Sequence, residues 1–213
     1  MSEENLTAPH NKSEPTYNQI LNSAYNLFTQ QGYHATSMRQ IAQDANIALG
    51  GIYNHFPNKG EIFRQVLFAF HPYHDVLPAL EAAPYNSMED FIQQGIAKAI
   101  QALDQRPGFL NLMFIEIVEF KAENMAELFQ MLLPRATKIA EAFAVDHHEQ
   151  IKPIPPLVIV RAIISFIFGF YITDAIVSPF TTSINRQSAL HHLIDIFCYG
   201  VLTHEEPEPT RLS

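Results

Sequence analysis

The run from Leu157 to Val177 constrains the fold of this chain more than any other segment. Drawn as a helix it is apolar almost all round, and only Arg161 and Asp174 interrupt it. Its uninterrupted part, 162–172, is too short to cross a bilayer, so we interpret the run as a buried helix and expect no membrane contact. A helix of this composition cannot stay on the surface of a monomer, because it would expose a large apolar patch.

The rest of the chain is also patterned for helices. Apolar residues recur at helical spacing, and proline and glycine separate the segments. In the C-terminal part this pattern predicts helices over 87–104, 107–120, 124–144, 156–177 and 185–203. Strand patterns have almost no support. The predicted fold class is therefore all-α, with about nine helices.

A polar, proline-containing stretch, HPYHDVLPALEAAPYN at 71–86, is the predicted domain boundary. It separates a small domain at 15–70 from a larger helical domain at 71–203. The polar ends, 1–14 and 204–213, are expected to be disordered tails. The 213 residues, of which 47% are apolar, are enough for two such cores.

The location is expected to be cytoplasmic. The single cysteine, Cys198, rules out a disulfide framework and fits a reducing compartment. The N-terminal residues are polar and acidic, without the basic and apolar segments of a secretion signal.

Three short helical patterns with tight connections make up the small domain. Gly32 is predicted to end the first helix, and Thr36 to cap the second. A turn at 46–47 leads into a third helix from about Leu49 to Phe56. Two short helices joined by a tight turn and packed on another form a helix-turn-helix, whose second helix enters the major groove of DNA.

The third helix has an unusual composition, because it opens with Gly50 and Gly51, both poor helix formers. Missing side chains let the backbone approach DNA closely. The next polar residues can donate to phosphates or read base edges: Tyr53, Asn54 and His55. Lys59 adds a cation for phosphate. The alternatives are loop glycines, a half-packed tyrosine, and an ordinary surface histidine and lysine.

Residues 16–70 resemble the DNA-binding domain of the TetR family of transcriptional regulators. The matching run is GYHATSMRQIAQDANIALGGIYNHFPNKGEIF, from Gly32 to Phe63. It has the family's Thr-Ser opening of helix two, Ile-Ala within it, Tyr-x-x-Phe in helix three and Lys-x-x-Ile after it, all in register. The resemblance implies a three-helix DNA-binding domain that contacts double-stranded DNA through Thr36, Ser37, Arg39, Leu49, Gly50, Gly51, Tyr53, Asn54, His55 and Lys59.

Three features depart from the family pattern. Asn46 replaces the usual turn glycine, although asparagine also adopts the left-handed conformation. Ala48 replaces the usual serine or threonine cap of helix three, and the start of helix one lacks basic residues. Residues 16–70 carry three basic and two acidic side chains, a net charge of +1 in a chain of −9. We therefore expect a shallower salt dependence of DNA binding than is usual.

For the larger domain the resemblance implies an effector pocket and a dimer interface. Flexible methionine and broad aromatic side chains suit an adaptable apolar cavity. The candidate effector residues are Met113, Phe114, Ile117, Phe129, Leu132, Phe166, Phe170 and Tyr171. The last two predicted helices would pair with those of a second copy through Ile164, Phe168, Ile172, Leu190, Leu193, Ile194, Phe197 and Val201. Ordinary core packing is the alternative for each of these residues.

Four ionisable residues lie inside apolar runs: Glu116, Glu119, Arg161 and Asp174. A buried charge needs a partner, so we expect internal pairs, for example of Arg161 with an acidic residue; a ligand contact or an exposed helix edge is the alternative. Three histidine clusters lack the spacing of a metal site. No metal and no cofactor is expected.

The combined prediction is a dimeric repressor that a small, mostly apolar effector releases from a palindromic operator. One alternative is a protein of the same fold that responds to a protein partner. Another is a ligand carrier with a vestigial DNA-binding domain. An enzyme is not expected, because no nucleophile–base pair, paired carboxylates or phosphate loop occurs at a recognisable spacing.

Overall fold

The computed structural model describes residues 15–82, 85–146, 152–177, 180 and 185–202. Within these ranges the chain forms helices and no β-strand, which confirms the predicted all-α fold. The predicted tails, 1–14 and 204–213, lie outside the described residues. The ten described helices are α1 (Pro15–Gln31), α2 (Met38–Asp44), α3 (Leu49–Tyr53), α4 (Lys59–Ala69), α5 (Tyr73–Ala82), α6 (Met88–Asp104), α7 (Phe109–Glu119), α8 (Glu123–Asp146), α9 (Pro156–Val177) and α10 (Arg186–Val201).

The ends of the first two helices follow from a few residues. α1 begins at Pro15, a residue suited to the first helical position. It ends at Gly32, which has the predicted left-handed conformation (φ +85°) and donates its N–H to the Phe28 carbonyl oxygen at 3.1 Å. The cap of α2 differs from the prediction by one residue, because Ser37 rather than Thr36 caps it in a reciprocal box with Gln40.

The predicted boundary segment is mostly helical. α5 contains Pro78, which lacks an N–H donor, so the helix tolerates one missing backbone hydrogen bond there. Its apolar side packs on α6, where Gly95 allows close approach: a Cβ at this glycine would lie 3.2 Å from Leu80 Cδ2. Tertiary packing has therefore overridden the helix-breaking composition of this segment.

The described residues divide into two compact units. Unit 1 comprises the described part of Met1–His71 together with Gln105–Met131, that is α1–α4, α7 and the start of α8. Unit 2 comprises Pro72–Asp104 and the described part of Leu132–Ser213, that is α5, α6, the rest of α8, α9 and α10.

The core of unit 1 is built from the inward faces of its short helices. The almost completely buried side chains come from α1 to α4 and from the segment between α3 and α4, which contributes Phe56. They are Ile20, Leu21, Ala24, Phe28, Ile41, Ala42, Ile52, Phe56, Ile62, Phe63, Val66 and Leu67. α7 and the start of α8 add buried Phe109, Leu112, Met125 and Leu128.

The core of unit 2 joins α6 to α9 and α10. Its buried members are Met88, Phe91, Ile92, Ile96, Ile100, Phe170, Leu190, Ile194, Cys198, Val201 and Leu202. Half-buried residues of α9, including Ile163, Phe166 and Ile167, pack against them.

α9 is buried along one edge only. Phe170 is its single buried residue, so the burial expected for this apolar helix is only partial in one chain. Among the described residues, α9 is the one helix with the length and composition of a membrane span. A single helix of this kind is weak support for a membrane protein, because core and interface helices of soluble proteins have the same composition.

Candidate nucleic-acid interface

The start of α2 exposes Ser37 and Arg39. The Ser37 hydroxyl accepts a hydrogen bond from the Gln40 amide at 3.2 Å, and the Gln40 side-chain oxygen accepts one from the Ser37 amide at 2.8 Å. This reciprocal cap holds the first turn of α2 in a fixed conformation. The turn can therefore present a guanidinium group and helix-end amides to an anion without rearrangement.

Thr36 has a structural role at the end of α1. Its side chain is 1% exposed, and its hydroxyl donates to the Gly32 carbonyl oxygen at 2.8 Å. The same hydroxyl accepts a hydrogen bond from Gln31 Nε2 at 3.2 Å. With its hydroxyl engaged in this way, Thr36 fixes the end of α1, and its contact with a DNA phosphate stays a prediction.

Lys59 stabilises the connection between α1 and α2 through hydrogen bonds. Its ammonium group donates to the carbonyl oxygens of Tyr33 and Thr36, both at 2.6 Å, and lies 4.1 Å from the centre of the Tyr33 ring. Burial lowers the pKa of Lys59, although the nearby Glu119 carboxylate acts in the opposite direction. Two of the three ammonium donors are thus engaged within the protein, and a phosphate contact by Lys59 stays a prediction.

The turn before α3 has the conformation that its residues predict. Asn46 is left-handed, with φ of 54°, and Ala48 caps α3 without a side-chain hydrogen bond. α3 then presents Leu49, which is 42% exposed, and Tyr53, which is 52% exposed. Asn54, the residue that ends α3, is also exposed. Two of these side chains lie on the five-residue helix α3, and the third lies directly after it.

The two glycines of α3 are not required by the fold. A Cβ placed on Gly50 or on Gly51 would meet no atom within 4 Å, and neither residue has a positive φ. Glycine in a helix costs about 1 kcal/mol relative to alanine. The predicted role of these glycines, close approach of the backbone to DNA, therefore stays a prediction.

His55 is held by an aromatic residue that sequence reasoning missed. The Tyr17 ring of α1 lies edge-on to His55 at 6.5 Å and stacks on Phe56 at 4.9 Å. The Tyr17 hydroxyl donates to Gln65 Oε1 at 3.2 Å. An aromatic residue just before the first apolar position of α1 was the available signal. Tyr17 thereby positions the end of α3 relative to α1 and α4.

The end of α7 also belongs to this unit, which sequence patterns did not predict. The Phe120 ring stacks on Phe63 at 4.6 Å and lies edge-on to Tyr33 at 5.0 Å. Beside it, His34 Nε2 and Glu119 Oε2 are 2.6 Å apart. Lys59 stands over the same Tyr33 ring. A helix from the second half of the chain thus contacts the turn that leads into α2.

The sequence profile described as bacterial regulatory proteins, tetR family, matches residues 20–66, which run from α1 into α4. Residues 20–66 form a TetR-family DNA-binding domain. This helix-turn-helix domain is that of a transcriptional regulator, as the resemblance implied.

The chain with this TetR-family domain is similar to known regulators over most of its length. It is 21% identical over 193 residues to the HTH-type transcriptional regulator YvkB of Bacillus subtilis, a match that covers 88% of this chain and 97% of YvkB. It shares its fold with the Bacillus subtilis regulator FadR, solved in complex with stearoyl-CoA (TM-score 0.67, 17% identity, 86% of this chain and 98% of FadR). The chain also shares its fold with SmeT, the repressor of the Stenotrophomonas maltophilia multidrug efflux pump SmeDEF (TM-score 0.66, 18% identity, 91% of this chain and 97% of SmeT).

The residues predicted to contact an effector fall in both units. In unit 1, Met113 is half-buried, and three others are exposed: Phe114, Ile117 and Phe129. In unit 2, Phe170 is buried in the core, and Phe166 and Tyr171 pack against that core. Core packing thus accounts for Phe170, whereas ligand contact by Leu132 and the remaining residues stays a prediction.

The residues predicted for the dimer interface also divide into two groups. Leu190, Ile194 and Val201 are instead buried in the unit 2 core, because the more regular apolar face of α10 is turned inward. Phe168, Ile172 and Phe197 are half-buried, whereas Ile164 and Leu193 are exposed. The prediction missed a set of exposed apolar residues on the same two helices: Leu157, Val158, Ile176, Ile196 and Tyr199.

Three of the four ionisable residues in apolar runs have internal partners. Glu116 is fully buried and accepts hydrogen bonds from the Met125 amide at 3.0 Å and from Asn124 Nδ2 at 2.8 Å, which fixes the start of α8. Glu119 pairs with His34. Asp174 pairs with Arg186 at 2.7 Å. Arg161 is exposed and forms no ion pair with a described residue, so the expected internal pairing of Arg161 is absent there.

Proposed function

We propose that this regulator is a homodimeric repressor that binds a palindromic operator in the cytoplasm and is released by a small, mostly apolar effector. The observation that carries the proposal is the exposed apolar face of α9 and α10. A palindromic operator requires two recognition helices related by a two-fold axis, and this face offers the surface for such a dimer.

The apolar face is large for the surface of a single chain. On α9 it includes Leu157, Val158, Ile164 and Ile176, and on α10 it includes Leu193, Ile196 and Tyr199, which are between 39% and 68% exposed. α9 and α10 pack against each other within unit 2. Contiguous apolar surfaces of this kind mark interaction sites. A second copy of the same chain presents the same surface and can cover it across a two-fold axis.

The effector part of the proposal depends on α7. Its exposed residues Phe114, Ile117 and Val118 give this helix an apolar surface that a hydrophobic ligand can cover. Its C-terminal neighbour Phe120 packs on Phe63 and Tyr33 in the DNA-binding domain. A ligand that displaces α7 would therefore disturb the turn that leads into α2. FadR, which shares the fold, was solved with stearoyl-CoA, and we propose an effector of comparable apolar character.

The first experiment tests the dimer and its operator together. Sedimentation equilibrium and binding to the DNA upstream of the protein's own gene are measured for the wild type and for Ile196→Glu. We expect a wild-type dimer and a monomeric variant whose operator affinity falls at least about tenfold, because linked half-sites bind with higher avidity. Val118→Glu, which alters an exposed apolar residue of α7, should remain dimeric. A monomeric wild type, or a dimeric Ile196→Glu with full affinity, would contradict the proposal.

The second experiment tests release. Stearoyl-CoA and an uncharged long-chain alcohol are titrated into the wild-type protein with and without operator DNA, and melting temperature and DNA affinity are recorded. A ligand that raises the melting temperature should weaken operator binding, and DNA should weaken binding of that ligand by the same factor. Ligand binding without any change in operator affinity would argue against effector-controlled release.

A further inference from the structure

We propose that α3 reads A·T base pairs, with Leu49 packing on the 5-methyl group of a thymine in each operator half-site. This inference rests on the proposed operator binding and specifies what that operator contains. Two observations support it. The first turn of α3 presents an exposed apolar side chain, and α3 carries no arginine or lysine.

The first turn of α3 offers no side-chain hydrogen bond. Its residues are Ala48, Leu49, Gly50 and Gly51, and Leu49 is the only one with a side chain larger than a methyl group. Leu49 is 42% exposed, whereas Leu21 of α1 and Leu67 of α4 are buried. Discrimination between bases by this turn must therefore come from apolar contact. In the major groove the thymine methyl is the apolar group that distinguishes one base from the others.

The glycines let Leu49 reach that groove. No atom lies within 4 Å of a Cβ placed on Gly50 or Gly51. The space around these two residues, which follow Leu49 directly, is therefore open. The fold does not need glycine at either position, since neither has a positive φ. Side chains at these positions would hold the backbone away from the base edges. Their absence brings Leu49 close enough for van der Waals contact with a base.

Guanine recognition from α3 lacks its usual donors. A bidentate arginine or lysine is the commonest contact to guanine, and the chain has neither between residues 40 and 58. The nearest lysine, Lys59, donates to two backbone carbonyls instead. Asn54 is exposed at the end of α3, and its side-chain amide forms no hydrogen bond with a described residue. An asparagine amide pairs with adenine at N6 and N7, which again favours A·T pairs.

The test removes the methyl group from the DNA and the side chain from the protein. Full-length protein selects its preferred half-site from a random duplex pool, and each thymine of the selected operator is replaced in turn by uracil. For the wild type, uracil at one or two positions in each half-site should weaken binding about fourfold, the value for one buried methyl group. The variant Leu49→Ala should keep α3 intact, because alanine favours helices and the site is exposed. For this variant, replacing thymine by uracil should change affinity by less than about 1.5-fold.

The controls separate this inference from the function on which it rests. Gln101→Ala, which removes exposed side-chain atoms from α6, should show the full wild-type uracil effect. Selected half-sites without a methyl-sensitive thymine, or an equal uracil effect in Leu49→Ala and wild type, would overturn the Leu49 contact while leaving operator binding intact. Selection of no sequence above non-specific binding would overturn both the operator and its readout.

Discussion

The rings of Phe120 and Phe63 lie parallel, with their centres 4.6 Å apart and their planes 5° from each other. Phe63 belongs to α4, and Phe120 follows the last residue of α7. The contact makes α7 part of the folding unit of the DNA-binding helices, although nearly 60 residues separate the two rings in sequence. Stability of the DNA-binding domain should therefore depend on a residue outside the family profile match, which ends at residue 66.

We expect Phe120→Ala to lower the free energy of unfolding by about 2 kcal/mol, because it removes a half-buried aromatic ring and two ring contacts. Urea unfolding followed by circular dichroism measures the change. Val118→Ala, on the exposed side of the same helix, should stay within about 0.5 kcal/mol of wild type. Equal effects of the two substitutions would show that the stacking contributes nothing.

Lys59→Met should also destabilise the protein, by about 1–2 kcal/mol, since it leaves the Tyr33 and Thr36 carbonyls without their charged donor. Thermal unfolding of this variant is compared with that of Lys138→Met, which removes an exposed lysine from α8. A purely phosphate-binding Lys59 would give a different result. Stability would be unchanged, and the slope of log affinity against log salt would fall by about one.

Two glycine substitutions should have opposite effects on stability. Gly51→Ala should raise the free energy of unfolding by up to about 1 kcal/mol and weaken DNA binding, because the site is open and helical. Gly108→Ala should destabilise, because its Cβ would lie 2.6 Å from Thr29 Cγ2 at the junction of α1 and α7. Calorimetry and an operator-binding assay separate these outcomes. A Gly51→Ala variant with unchanged DNA affinity would remove the argument for close approach at α3.

Asp104→Asn should reveal a pH-dependent contribution to stability in unit 2. Burial raises the pKa of Asp104, but hydrogen bonds from Arg186 at 2.9 Å and Tyr171 at 2.7 Å outweigh it, so the pKa is lower than that of an ordinary aspartate. A lowered carboxyl pKa stabilises the fold above about pH 4 and ceases to do so as the pH falls through the folded value.

The expected size of this contribution is about 0.5–1 kcal/mol at pH 6, because the Asp104 side chain is 42% exposed and solvent screens the pair. Urea unfolding at pH 6, 4 and 3 should show the gap between wild type and Asp104→Asn closing below about pH 4. Asp44→Asn, at an exposed position in α2, provides the matched comparison. A gap that widens towards pH 4 would have the wrong sign for this mechanism.

Local patterns predicted the helices of this protein well. Apolar spacing located α6 to α10 within one or two residues at each end, and Asn46 and Gly32 marked left-handed turns that the structure contains. Such features depend on neighbours in sequence, which the chain itself displays. The Pro78 helix was missed because its stability comes from packing on α6, a contact between distant residues.

The candidate sites were predicted less completely, for the same physical reason. Exposure of Leu49 and Tyr53 follows from their place on a short helix, whereas burial of the Thr36 hydroxyl depends on Gly32 and Gln31 around it. On α10, two apolar faces occur in one helix, and sequence alone does not say which one meets the chain's own core. Leu190 and Ile194 are turned inward, and Ile196 and Tyr199 are turned outward.

Because Cys198 is buried, a label can be attached to an introduced cysteine without changing the native one. It is the only cysteine, it is buried in the unit 2 core, and burial raises its pKa to about 11. Maleimides react with thiolates, so this thiol should be silent at neutral pH. A cysteine introduced at the exposed Gln43 of α2 would then be the sole reactive site. Paired spin labels there would report the spacing of the two α2 helices in a dimer, without removal of the native cysteine.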